Sequence, residues 1–223
     1  MLERVVFVPV IHTDKESVDT ARRVIRDTKP NVVAVELDRT RFNQLSNPRT
    51  THPNHQPSSS GFEVSNLMNQ IALLQQSLGE MTGSSPGEEM LAAVETGREV
   101  GAKIALVDRP IELTAQAMGQ VPMDEIYRFA EMIPSNAQDL SKEGEMSFFD
   151  LLKKEGTIDE LLEEFTKEFP TLAHVLIDQR NEYIAKAIKY ILGDVTGKIV
   201  AVLGAGHIDG VTEKLKELLS ESN

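Results

Sequence analysis

The sequence predicts an α/β fold: a small, mainly parallel sheet flanked by helices, with a large helical insertion. Three observations predict it. Four short runs rich in Val and Ile stand apart along the 223 residues: Arg4 to Ile11, Asn31 to Val35, Lys103 to Val107 and Lys198 to Leu203. Continuous apolar runs of this length read as strands covered on both faces, the habit of parallel strands packed under helices. Between the third and fourth runs, about 111–193, the pattern is helical and holds no good strand. Finally, each run ends in chemically capable polar residues, and open parallel sheets bind ligands just beyond the carboxyl ends of their strands.

The elements follow in order. The first run leads into His12 and then Thr13-Asp14-Lys15-Glu16, where Thr13 and Glu16 have the spacing of a capping box. A helix is therefore expected from about Asp14 to Thr28, stopped by Lys29-Pro30. A short helical turn, Asp38 to Leu45, follows the second run. Asn47 to Gly61, rich in Pro and Ser, reads as a mobile loop carrying His52 and His55. Glu63 to Leu78 has helical spacing; Gly79, Gly83 and Pro86-Gly87 break the chain; Glu88 to Val100 forms a helix closed by Gly101. In the insertion, Ile158 to Phe169 and Thr171 to Leu192 carry apolar residues at three- and four-residue steps, and Pro122, Pro134 and Pro170 punctuate the helices. Met118, Met123, Phe129 and Met132 read as core packing, and His174 as structural. A last helix spans Ile208 to Leu219. The chain reads as one domain, 1–223.

A formal net charge of -12 opposes nonspecific binding to nucleic acid. Cysteine is absent, which excludes disulfides and thiolate chemistry and leaves His, Asp and Glu as metal ligands. Glu3 and Arg4 interrupt the apolar start, so it does not read as a signal peptide. No apolar run reaches the roughly 18 residues of a membrane span. The expected location is cytoplasmic, or the cytoplasmic face of a membrane if the native chain is longer. Amphipathic helices of the insertion suit a homodimer as well as a monomer core.

The strand ends supply the candidate site. His12 and His207 should share one edge with Glu36, and two imidazoles with a carboxylate form a ligand set that leaves positions for water. The bland alternative is that each histidine hydrogen-bonds at a strand end or caps a helix. Glu36 and Asp38 lie two apart, so in an extended segment they face one side, one able to bind metal and the other to act as general base; a surface ion pair with Arg39 or Arg41 is the alternative. Arg109 could clamp a carboxylate or phosphate, or simply pair with Asp108 to orient a loop. Gly204-Ala205-Gly206 invites a dinucleotide reading, but the strand and acidic residue that should follow are missing. Gly204 and Gly206 better suit a tight turn that approaches a ligand and sets His207 at a helix N-terminus, where the dipole disfavours imidazolium. Within the second insertion helix, Arg180 and Asn181 could present an inward polar group to the strand ends; a solvated stripe is the alternative. His52 and His55 read as solvated.

Taken together, the chain resembles the TraB/PrgY group, relatives of GumN and the Tiki proteins. The resemblance rests on His12 with Thr13 to Ser17; Val33-Ala34-Val35-Glu36-Leu37-Asp38 with Arg41; Pro86-Gly87-Glu88-Glu89-Met90 leading to Gly101-Ala102-Lys103-Ile104; Val107-Asp108-Arg109 with Ile111 and Thr114; Arg180-Asn181-Glu182-Tyr183; and Val202-Leu203-Gly204-Ala205-Gly206-His207 with Gly210. It implies a fold similar to the erythromycin esterase and ChaN group. It also implies metal-dependent proteolysis, as in the Tiki relatives, through two G-x-x-H motifs and a glutamate. His207 with Gly204 matches the second motif, Glu36 the glutamate and His12 the first histidine. Pro9 stands where the first motif has glycine. PrgY-like members reduce the activity of secreted peptide pheromones, and many archaeal members carry a membrane region after the soluble domain.

The leading expectation is a metal-dependent hydrolase of peptide bonds, with Mn, Co or Zn held by His12, Glu36 and His207. Asp38 or Asp108 would take a proton, and Arg109 or Arg180 would stabilise an oxyanion or bind a substrate carboxylate. The substrate is a peptide or small molecule. A non-enzymatic ligand-binding regulatory domain is the alternative, and a nucleotide-binding protein a third.

Overall fold

Residues Val32–Val35 (β2) and Ile199–Gly204 (β4) are buried along their whole length, as uninterrupted apolar strands at a sheet centre must be. The computed structural model describes residues 1–10, 15–46, 87–132 and 157–221. The other two strands are Val5–Val10 (β1) and Lys103–Leu106 (β3). All pairings are parallel, in the order β1-β4-β2-β3. β1 and β3 are therefore edges among the described residues and are only partly covered, so cover on both faces holds for β2 and β4 alone. Pro9 is exposed on β1, an edge position where a missing N–H breaks no ladder.

Helices cover both faces. Lys15–Thr28 (α1) follows β1, Arg39–Ser46 (α2) follows β2, and Glu88–Glu99 (α3) precedes β3. Ala21 and Ile25 of α1 and Met90, Ala93 and Val94 of α3 pack with Val8, Val10, Val33, Val35, Val200 and Val202 on one face. The close approach of α3 requires Gly97, where a Cβ would fall 2.8 Å from Ile104 Cδ1 and 2.9 Å from Val33 Cγ2. Gly101 closes the helix at φ +80°, a left-handed position suited to glycine. Thr13 of the capping box and Asp14 lie outside the described residues, as do the 47–61 loop with His52 and His55, the 63–78 helix and Pro134.

Between β3 and β4 the described residues contain no strand: Ile111–Met118 (α4), Met123–Met132 (α5), Thr157–Glu168 (α6), Pro170–Ala173 (α7), a π-helical turn His174–Asp178, and Gln179–Asp194 (α8). Met118, Ile126, Phe169, Leu172 and Val175 form a satellite core, joined by Phe129. Met123, expected in a core, is instead 43% exposed, and His174 lies at the surface against Asp178. Buried Glu125 accepts the backbone N–H groups of Thr171 and Leu172 (3.1 and 3.0 Å), capping the start of the rod that runs through α7 to α8. Ile184, Ala185, Ile188 and Leu192 of α8 then pack with Val211 and Leu215 of the last helix, Ile208–Ser220 (α9), on the other sheet face.

Topology places the site. α1 leaves β1 toward one face, while α9 leaves the adjacent β4 toward the other. Neighbouring strands whose helices diverge open a crevice at their carboxyl ends, the place where open α/β sheets bind ligands.

Candidate functional site

Glu36 directly follows β2. Its backbone N–H still bonds Val202 O on β4 (3.1 Å), but the chain then bends, with Leu37 N–H donating to Val35 O. That bend separates Glu36 from Asp38. Glu36 turns in toward β4, where its Oε2 accepts the Gly204 N–H at 2.7 Å. Asp38 turns the other way and caps α2, its Oδ1 accepting the N–H groups of Thr40 and Arg41 (2.6 and 3.0 Å). Both carboxylates are buried, so neither is the surface ion pair with Arg39 or Arg41 that the sequence left open. Asp38 Oδ2 is buried with no hydrogen-bond partner among the described residues.

Arg180, from the first turn of α8, is the centre of the cluster. Its Nη2 donates to Glu36 Oε1 at 2.5 Å and to Asp108 Oδ2 at 2.9 Å, and its Nε donates to Asp108 Oδ1 at 3.0 Å. The two carboxylate side chains are 2% and 4% exposed, and the arginine side chain 19%. Burial by itself would lower the Arg180 pKa, but the charges of Glu36 and then Asp108 outweigh it and hold the guanidinium above its ordinary value. One delocalised cation between two buried anions, with bidentate geometry toward one of them, is an arrangement lysine cannot reproduce.

His207 is the N-cap residue of α9 and completes the set. Its Nε2 lies 3.2 Å from Arg180 Nη1 and 3.5 Å from Glu36 Oε1, and its Nδ1 lies 2.7 Å from Asn181 Oδ1. A guanidinium can only donate, so Nε2 accepts, and the ring proton sits on Nδ1 and is donated to Asn181. Asn181 is buried against Gly210 of α9, where a Cβ would fall 2.2 Å from Asn181 Nδ2.

Glu36, Asp108, Arg180 and His207 are thus brought together, with the Gly204 amide. Asp108 pairs with Arg180 rather than with the Arg109 side chain; its Oδ1 also accepts the Arg109 N–H at 2.8 Å. The Arg109 guanidinium reaches Gln179 Oε1 at 2.6 Å. Asp38 shares none of these partners. Gly204 has φ −54°, so its part is its amide and not a left-handed turn. Gly206 lines an open cleft of about 640 Å³ with Asn181, Ala205, Asp209 and Gly210. His12 lies outside the described residues. Asn181, raised beside Arg180 as an inward polar group but given no role, proves to orient His207, whereas Gln179 was not chosen as a site residue by sequence reasoning.

As a metal site, the described donors fit in chemistry: a carboxylate oxygen and an imidazole nitrogen bearing its lone pair, 3.5 Å apart. Arg180 now touches both of those atoms, so a cation would compete with it. Among the described residues no group of three His, Asp or Glu side chains is assembled around one point.

Fold and site together define a parallel α/β protein with a carboxylate–arginine–histidine centre at the strand ends. The chain belongs to the TraB/PrgY/gumN family, whose profile matches residues 5–222. An uncharacterized protein of Methanocaldococcus jannaschii is 30% identical over 93% of this chain and 52% of its own length. The human and bovine TraB domain-containing proteins are each 25% identical over 93% of this chain and 61% of theirs. The chain therefore spans about half to three-fifths of these relatives. No helix among the described residues is long and apolar enough to cross a membrane.

Proposed function

We propose that this edge is the centre of a metal-dependent hydrolase acting on peptide bonds. The observation that carries the reading is the Glu36–His207 pair, 3.5 Å apart, with the His207 lone pair directed inward because Asn181 takes the Nδ1 proton. Glu36, His207 and, from beyond β1, His12 would hold the cation, with Mn, Co or Zn the candidates. A divalent ion there would supply Lewis acidity toward a scissile carbonyl and a water. Of the two expected bases, Asp38 would have to leave its cap on α2 and turn toward Glu36 to take a proton, and both Asp108 oxygens are engaged by Arg180. Asp108 instead fixes Arg180, whose Nη1, already beside His207 Nε2, is placed to donate to a developing oxyanion.

The test is elemental analysis after loading with Mn, Co and Zn, comparing wild type with His12→Ala/His207→Ala, together with a peptide-hydrolysis screen. Near-stoichiometric metal and turnover, both lost in the variant, are expected. Metal in neither protein rejects the assignment. A second reading, a non-enzymatic ligand-binding regulatory domain of the pheromone-shutdown type, is favoured by one contact set: Arg180 already satisfies Glu36 Oε1 and faces His207 Nε2. It requires stoichiometric binding without turnover, insensitive to chelators.

A further inference from the structure

The edge holds two arginines in opposite electrostatic circumstances. Arg180 is neutralised twice over, by Glu36 and Asp108. Arg109, two links away in the same network, has no carboxylate partner among the described residues; its guanidinium donates to one neutral acceptor, Gln179 Oε1, at 2.6 Å. In a chain of net charge -12, a half-buried arginine beside a cluster of acids would ordinarily have been paired. Asp108 is the obvious partner and is adjacent in sequence, yet Arg180 takes both of its oxygens and leaves Arg109 only a backbone contact.

The local build holds this charge in place. The Arg109 N–H is fixed on Asp108 Oδ1, and Gln179, directly before Arg180 at the start of α8, fixes the other end of the side chain. A guanidinium carries five N–H donors in a planar fork, so one bond to Gln179 leaves a fork that matches the two oxygens of a carboxylate. Partial burial strengthens its attraction for an anion over that of a surface arginine.

We propose that Arg109 is a carboxylate-binding residue, and that the ligand of this edge is a peptide bearing a free carboxylate beside the portion that reaches Glu36 and His207. The carboxylate is either the peptide's C-terminus or an acidic side chain. The assignment deepens the reading of this edge as a substrate site and is independent of whether metal binds there.

The experiment uses the full chain, metal-free, with the Arg109 Nε–H followed by 15N-resolved NMR. It is titrated with N-acetyl-Ala-Ala, with its C-terminal amide, and with the amidated N-acetyl-Ala-Asp. The acid forms are expected to shift Arg109 and to bind about 10-fold or more tightly than the uncharged amide. Arg109→Gln should abolish that preference, and Arg109→Lys should restore only part of it, because a point charge lacks the fork. Whichever acid form binds better assigns the carboxylate to a terminus or a side chain. Equal binding of acid and amide, no perturbation at Arg109, or a preference that survives Arg109→Gln overturns the proposal. Acid preference in a protein that neither binds metal nor turns over peptide would leave this assignment standing while the hydrolase reading falls.

Discussion

Replacing Arg180 with Met removes the one cation between two buried carboxylates. Three N–H donations to carboxylates disappear, to Glu36 Oε1 at 2.5 Å and to Asp108 at 2.9 and 3.0 Å, with a fourth to His207 Nε2 at 3.2 Å. Breaking a buried ion pair by removing one partner costs about 3–5 kcal/mol, mostly for the charge left behind. Here each anion keeps one backbone donor, Gly204 N–H for Glu36 and Arg109 N–H for Asp108, which puts the expected loss near the lower end, about 3 kcal/mol. In a chain of this size that lowers Tm by roughly 6–12 °C. The assay is equilibrium urea unfolding at neutral pH, with Glu36→Gln/Asp108→Asn/Arg180→Met as the control in which no charge is orphaned. The triple variant should recover much of the loss. The pKa of Arg180 is raised, so its contribution is fully present below the ordinary arginine value and is lost only as pH rises through the raised one. From the arginine's side, the gap to wild type should therefore be flat between pH ~7 and ~9. A single-variant loss below about 1 kcal/mol, or a triple variant no better than the single, would refute the claim that Arg180 neutralises this cluster.

Two further outcomes follow from the same contacts. Gly210→Ala places a Cβ 2.2 Å from Asn181 Nδ2 and 3.0 Å from its Cγ, so Asn181 must move; a loss of about 1–3 kcal/mol is expected, with the His207 proton no longer confined to Nδ1 by 15N NMR, and unchanged tautomer and stability would count against Asn181 as the orienting residue. Lys186→Ala removes an exposed i,i+4 partner of Glu182, whose pKa is lowered first by the Lys186 hydrogen bond and then by its charge; the cost should be at most about 0.5 kcal/mol, present above the ordinary Glu182 value of 4.5 and lost as pH falls through the depressed one, as urea titrations at neutral and acid pH would read.

What the sequence makes legible is whatever depends on local pattern. The four Val/Ile runs become the four strands, with ends shifted by a residue: Arg4, Asn31 and Lys198 drop out, Val107 leaves β3, Gly204 joins β4, and Ile11 lies outside the described residues. Strand order is not local. A run flanked by polar residues looks the same at an edge as at the centre, so the partial exposure of β1 and β3 could not be read. The same limit applies to Asp38. Its two-residue spacing from Glu36 implies a shared face only if the backbone stays extended, and the bend at Glu36 removes that condition. Asp38, expected to begin the helical turn, instead precedes it and caps it.

Arg180 marks where pattern stops and tertiary geometry takes over. Leu172, Leu176, Ile184, Ile188 and Leu192 fall on a four-residue register in which Arg180 takes the one polar position, a pattern that suits one uninterrupted helix. The chain instead forms a π turn at His174–Asp178, just before Gln179, Arg180 and Asn181. A π turn takes an extra residue and changes the phase of everything after it, without altering which residue types are apolar. The phase decides the site: past the turn, Asn181 is buried against α9, Arg180 reaches across to β2 and β3, and Gln179 meets Arg109. Periodicity therefore locates the helix but not the directions of its polar residues. Those directions are set by the packing of Val175 on the satellite core at one end of the turn and of Ile184 on the sheet at the other. The carboxylate–arginine–histidine cluster thus depends on how the helical insertion docks, and a substitution in either core can move Arg180 without touching any residue of the sheet.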